Sequence, residues 1–113
     1  MKKEERIEIV AVVPGYLPVR AWIDNTLEAM QAVVEGYIEM VYPWEDDAVL
    51  VCNEEGKLIG LPMNRALHDE HGFAVDMIHG TFFIARVEDD AELHSLTEDQ
   101  IKHYMNLFGG AEA

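Results

Sequence analysis

The sequence predicts an α+β domain in which two amphipathic helices pack on a largely antiparallel sheet. Three observations lead there. Several short segments are dense in β-branched and aromatic residues and are bounded by Gly, Pro, Asn and Asp. Two others, about 26–35 and 98–108, repeat apolar residues at helical spacing behind capping signatures. The 113 residues, 50% hydrophobic and 27% charged, suffice for one buried core but not for two ordinary domains. We therefore expect a single domain over 1–113 with an ordered core at about 7–108.

The first strand is expected at 7–13, the cluster Pro14, Gly15 and Pro18 makes a turn, and 19–23 resumes an extended pattern, which together read as a hairpin. Asn25 then stands as a helix cap with Glu28 three residues on, a pairing that satisfies free amides reciprocally. Leu27, Met30, Val33 and Val34 follow on one face, and Gly36 offers a left-handed stop. Segment 37–42 alternates as a strand does, whereas 48–52 is unbroken apolar, as a strand covered on both faces is. A turn at Asn53, Glu54, Glu55 and Gly56 leads to a short strand at 57–59, then a helical turn at 62–67 and a loop through Asp69, Glu70 and Gly72. Within the stretch 77–87 the run 81–87 is the strongest strand signal, with Gly80 marking a bulge or a close backbone approach. Thr97 with Gln100 forms a capping box, Leu96 with Ile101 a hydrophobic staple, and Ile101, Tyr104, Met105 and Phe108 an apolar face ending at Gly109 and Gly110. The helices are expected on one side of the sheet, and the opening β-β-α-β is compatible with a β-grasp-like arrangement.

The chain carries 22 acidic against 8 basic residues, a formal charge of -14. That charge opposes direct binding to nucleic acid or to anionic lipid. Residues 1–20 sum to +1 and residues 21–113 to -15, so the acidity belongs to the body of the fold. No apolar run reaches the ~20 residues of a membrane span. The opening Met1, Lys2, Lys3, Glu4 and Glu5 lacks the apolar stretch of a signal peptide, and one cysteine excludes an internal disulfide. The expected location is the cytoplasm.

Candidate chemistry is sparse. His68, Asp69, Glu70 and His71 offer nitrogen and oxygen ligands suited to zinc, nickel or iron, although Gly72 and the polarity there favour a solvated loop. Cys52 ends the most apolar strand, where a thiol behaves as a small apolar residue. Arg65 stands in a negative field, so it either forms a salt bridge or joins Asn64 in gripping a carboxylate or phosphate through fork-shaped hydrogen bonds. Trp44 beside Glu45, Asp46 and Asp47 reads as an exposed contact surface, with Glu88, Asp89 and Asp90 as a second acidic cluster. There is no Walker loop, dinucleotide fingerprint or zincin helix, and no cofactor is expected.

Five phrases carry a resemblance: Ile23-Asp24-Asn25-Thr26-Leu27, Val51-Cys52-Asn53-Glu54-Glu55-Gly56-Lys57-Leu58, Leu61-Pro62-Met63-Asn64-Arg65, Gly80-Thr81-Phe82-Phe83-Ile84 and Ser95-Leu96-Thr97. Together they resemble a small domain family of unknown function met mainly in phages, plasmids and conjugative elements of gut and other Gram-positive bacteria. The resemblance spans roughly residues 7–108. It implies a mobile-element accessory protein, a class in which small acidic proteins that blunt host defence are common. The expected function is thus non-enzymatic: an acidic surface acting on a basic protein partner, in the manner of a DNA mimic. Two alternatives stand beside it, a module that sequesters an anionic ligand on Arg65 and a metal-assisted hydrolase built on His68 and His71.

Overall fold

The first two strands, β1 (Arg6–Val12) and β2 (Val19–Asp24), form the expected hairpin in a computed structural model that describes residues 4–110. The basic start at Met1, Lys2 and Lys3 lies outside the described residues. Ile7 pairs with Ile23 and Ile9 with Ala21. Gly15 makes the turn possible by taking φ 83°, a left-handed value that costs glycine little.

Helix α1 (Leu27–Val34) is capped by Thr26 rather than by Asn25. The Thr26 hydroxyl accepts from the Ala29 amide at 3.1 Å. Asn25 is buried one position earlier, where its amide donates to the carbonyls of Glu4 at 3.0 Å and Leu93 at 3.1 Å. Two donors on one side chain let Asn25 tie three segments together, which a capping hydroxyl could not do. The left-handed residue ending the helix is Glu35, at φ 64°, and not Gly36. Gly36 is required for space, because a Cβ there would stand 2.6 Å from Asn53 Nδ2.

Strands β3 (Ile38–Val41) and β4 (Ala48–Asn53) follow, then β5 (Met63–His68), β6 (Ala74–His79), β7 (Phe82–Val87), β8 (Leu93–His94) and helix α2 (Glu98–Phe108). Two expectations fail between β4 and β6. The strand expected at 57–59 is part of a turn, wound by Asn53 Oδ1 accepting from the Glu55 amide at 2.7 Å and by the Ile59 amide donating to Glu55 at 3.0 Å. The helical turn expected at 62–67 is strand β5, in which Arg65 and Leu67 point inward while Met63 and His68 are exposed. An arginine at an inward position hides the period-two pattern from a reading based on polarity. The long run 77–87 divides into β6 and β7 at Gly80. There φ is 85° and a Cβ would stand 2.7 Å from Leu61 Cδ1, so the close approach expected at Gly80 is present.

The main sheet has the order β2-β1-β7-β4-β3, with β8 continuing along β7 where Arg86 faces His94. All its ladders are antiparallel, and β5 and β6 form a separate two-stranded sheet. Central strands β4 and β7 are apolar at both parities, so both faces need cover. Helix α1 covers the face carrying Ile7, Ile9, Val49, Val51, Phe83 and Ala85. On the opposite face Val10, Val12, Leu50, Phe82 and Ile84 lie beneath α2 and the β5–β6 hairpin. The helices therefore sit on opposite sides of the sheet, which corrects the one-sided arrangement expected and departs from a β-grasp, where one helix crosses one face. The radius of gyration of 13.3 Å is that of a single folded domain of about 100 residues. No helix among the described residues is long and apolar enough to cross a membrane.

Candidate functional site

Strand pairing brings the two acidic clusters to one end of the sheet. Ala48 opens β4 directly opposite Arg86 near the end of β7, and the Val87 amide donates to the Asp47 carbonyl at 3.1 Å. The loop bearing Glu45, Asp46 and Asp47 thus lies beside the loop bearing Glu88, Asp89 and Asp90. Within it, Asp46 is anchored rather than free. Its carboxylate accepts from the Tyr104 hydroxyl at 2.8 Å, from Gln100 Nε2 at 3.1 Å and from the Asp47 amide at 2.8 Å. Burial pushes the Asp46 pKa up, but these hydrogen bonds and the nearby His103 outweigh it and hold the group below its ordinary value. Tyr104, buried against the same carboxylate, is pushed far up.

Between this loop, the turn after β5 and the last turns of α2 opens a cavity of about 540 Å³. That volume is in the range of small-ligand sites. Tyr42 and Trp44 form one wall, Leu107 and Phe108 another, and Leu67 lies at the β5 side. Glu45, Asp69 and Glu70 supply carboxylates to its lining, and His68 and His103 supply imidazoles. Trp44 is half-buried, its ring 4.7 Å from Tyr104 and 6.2 Å from Phe108, so it is a wall element and not the exposed residue its charged neighbours suggest. Glu45 and Glu70 both line the cavity, close enough for the Glu45 carboxyl to act on that of Glu70. The Glu45 carboxyl, burial and the charge of Asp69 all raise the Glu70 pKa.

Arg65 and Asn64 lie away from this cavity and are otherwise engaged. Arg65 is 3% exposed, and no carboxylate among the described residues is within ion-pair distance of it, which overturns the expected salt bridge. Its Nε and Nη2 donate to the Phe108 carbonyl at 3.2 and 3.1 Å, and Nη2 also donates to the Tyr16 carbonyl at 2.9 Å. Its Nη1 donates to Asn64 Oδ1 at 3.0 Å and to the Asn64 carbonyl at 3.4 Å. All five guanidinium donors are taken up, so none is left to grip an anion. The Asn64 amide donates to the carbonyls of Val12 at 2.9 Å and Gly80 at 2.8 Å, stitching the hairpin to the main sheet.

His68 and His71 do not gather as metal ligands. Residues 69–72 form a tight turn in which Asp69 Oδ1 accepts from the amides of His71 at 2.9 Å and Phe73 at 3.0 Å. The ligand-type atoms that do gather among the described residues belong to Glu88, Asp90 and His94, all within 4.8 Å of one another. Sequence spacing gave no sign of this trio, because β8 returns His94 to the β7–β8 loop only once the sheet forms. His94 Nε2 lies 2.9 Å from Asp90 and Nδ1 lies 3.1 Å from Glu4. The Asp90 hydrogen bond is the largest influence on the imidazole; burial lowers its pKa, but Asp90, Glu4 and Glu88 raise it on balance. The Cys52 thiol is pushed up to about 11 by burial and by Glu39 and Asp76, which fits an inert apolar role.

This cluster makes pH a lever on stability. A His94 pKa raised by folding contributes stability that is fully present below the unfolded value of about 6.5 and lost as pH rises through the folded value. Asp90 is lowered mainly by His94, so its contribution is lost instead as pH falls through its own folded value. The melting temperature should therefore decline as pH rises from about 6 to 8.5, and His94→Gln should flatten that decline. Parallel profiles for the two proteins would remove His94 as the cause.

The cavity wall made by Leu107 and Phe108 was not legible as a site, since Phe108 on the apolar face of α2 reads only as core. A family model, that of a domain of unknown function (DUF3846), matches residues 7–109. No curated protein and no solved structure was found to match the chain.

Proposed function

Since the chain belongs to the DUF3846 family, a domain of unknown function, we propose that it is a non-enzymatic binding protein whose acidic end engages a basic protein partner. The observation that carries this reading is the convergence of two acidic loops, Glu45, Asp46 and Asp47 with Glu88, Asp89 and Asp90, on one end of a rigid sheet beside an open cavity. Away from this end Arg6 is engaged by Asp24, Arg20 by Glu8 and Glu98, and Lys57 by Asp76, while at the end itself Arg86 pairs with Glu88. A formal charge of -14 displayed this way steers a basic protein into encounter. Carboxylates fixed on a sheet end stand in for phosphates, so the protein occupies a groove built for DNA. The mobile-element setting that the sequence resemblance implies is where such interference acts.

The test is binding of a purified DNA-binding protein, recovered by cross-linking from host lysate, at increasing ionic strength. Charge attraction between exposed groups is screened beyond about 8 Å at physiological salt, so affinity should fall steeply. Replacing Glu45, Asp47, Glu88 and Asp89 by Gln or Asn, with Asp46 kept because it anchors the loop, should weaken binding by about tenfold or more, roughly 1.4 kcal/mol. Duplex DNA should compete. Binding that is insensitive to salt and to these four substitutions would count against the reading.

A further inference from the structure

The cavity beside the acidic end is more specific than its charge. Resting on the reading above, we propose that it receives one arginine side chain of the basic partner, with the guanidinium stacked on aromatic rings and gripped by Glu45 and Glu70. The walls supply the stacking surface. Tyr42 and Leu107, at its edge, are 61% and 45% exposed, so apolar surface stands uncovered where a side chain would enter. Trp44 is held from behind by Tyr104 at 4.7 Å, which keeps a rigid indole in the wall. An electron-rich ring face attracts a cation, Trp most strongly.

The carboxylates supply the grip. Glu45 comes from the β3–β4 loop and Glu70 from the β5–β6 turn, so two separate segments bring them into one lining, with Asp69 adjacent. Among the described residues no Lys or Arg lines the cavity, and Arg65, which precedes Ala66 of its lining, has its donors committed to Phe108, Tyr16 and Asn64. The Glu45 carboxyl beside it, burial and the charge of Asp69 raise the Glu70 pKa, the mark of carboxyls gathered without a compensating cation. A guanidinium placed there supplies donors to both groups. Arginine fits this demand better than lysine because its planar fork is weakly hydrated, stacks on rings and offers five donors in fixed geometry. The remaining titratable groups facing the site are Tyr42, His68, His103 and Asp69.

The experiment titrates the full chain, carrying Trp22→Phe so that Trp44 is the sole indole, with capped Gly-Arg-Gly, Gly-Lys-Gly and Gly-citrulline-Gly peptides at low salt. Trp44 fluorescence and amide chemical shifts are read together. The arginine peptide should perturb Trp44 saturably and bind about fivefold or more tighter than the lysine peptide, and the uncharged citrulline peptide should not bind. Glu70→Gln, an exposed change with no structural role to lose, should weaken the arginine peptide about tenfold, and Glu45→Gln should do the same. Equal shifts by arginine and lysine peptides, spread over the acidic end and unchanged by Glu70→Gln, would overturn the arginine site and leave the acidic-end reading intact. No shift with either cationic peptide, together with failure of the partner-binding experiment, would remove both.

Discussion

Replacing Arg65 by methionine is expected to lower stability by about 3 to 5 kcal/mol, because it orphans several buried acceptors in one step. Methionine retains an unbranched stem of similar reach, so the loss isolates the guanidinium. The acceptors at stake are the carbonyls of Phe108 and Tyr16. Phe108 ends α2, where the free carbonyls form the negative end of the helix dipole, and the last turn of α2 has no basic residue of its own. Arg65, reaching from β5, supplies that cation from another element and ties the helix end to the β1–β2 turn through Tyr16. Lysine keeps the charge but donates from a single point, so it cannot reach the Phe108 and Tyr16 carbonyls and Asn64 Oδ1 together. Arg65→Lys should therefore recover only part of the loss. For a domain of this size each kcal/mol corresponds to about 4 to 8 °C in melting temperature, so thermal and urea unfolding both resolve the series. If Arg65→Met falls within about 1 kcal/mol of the native protein, the carbonyls are being satisfied by water and the scaffold role is refuted.

How much of this architecture can be read from the chain depends on the range over which each interaction acts. The α2 start is legible because Thr97, Gln100, Leu96 and Ile101 lie within six consecutive residues and cap and staple one another locally. Strands β4 and β7 are legible because residues buried on both faces must be apolar at every position. Arg65 is not, since its polarity argues for the surface while distant carbonyls hold it inside. Asn25 misleads in the same way: its residue type is that of a cap, yet its amide is needed by Glu4 and Leu93. Trp44 reads as exposed from its acidic neighbours, whereas its ring is recruited by Tyr104 and Phe108 from the far end of the chain. The cavity is assembled from three segments that meet only in the folded sheet, so local pattern found Glu45 and His68 but could not join them to Phe108.

Tyr104 links that cavity to the core, and its substitutions separate two contributions. Its side chain is fully buried, and its ring lies in the cluster with Phe82, Leu50 and Phe108. Truncation in Tyr104→Ala removes the ring and leaves a void beneath Trp44, at an expected cost of about 3 to 5 kcal/mol. Tyr104→Phe keeps the ring and deletes only the hydroxyl that donates to Asp46, a charged acceptor, so about 1 to 2 kcal/mol should be lost. The loss stays at that level because Asp46 retains Gln100 and the Asp47 amide and is not left buried without partners. The two variants also differ in pH response. A lowered Asp46 pKa contributes stability that is present above the unfolded value of about 3.9 and lost as pH falls through the folded value. Removing the Tyr104 hydroxyl removes one cause of that lowering, so the acid limb of the Tyr104→Phe stability profile should be shallower than that of the native protein. In the cavity, Tyr104→Phe leaves the support of Trp44 in place and should preserve arginine-peptide binding, whereas Tyr104→Ala should abolish it at temperatures where the variant is still folded. Equal stability for Tyr104→Phe and the native protein, with superimposable acid limbs, would show that the Asp46 hydrogen bond contributes nothing to holding the acidic loop.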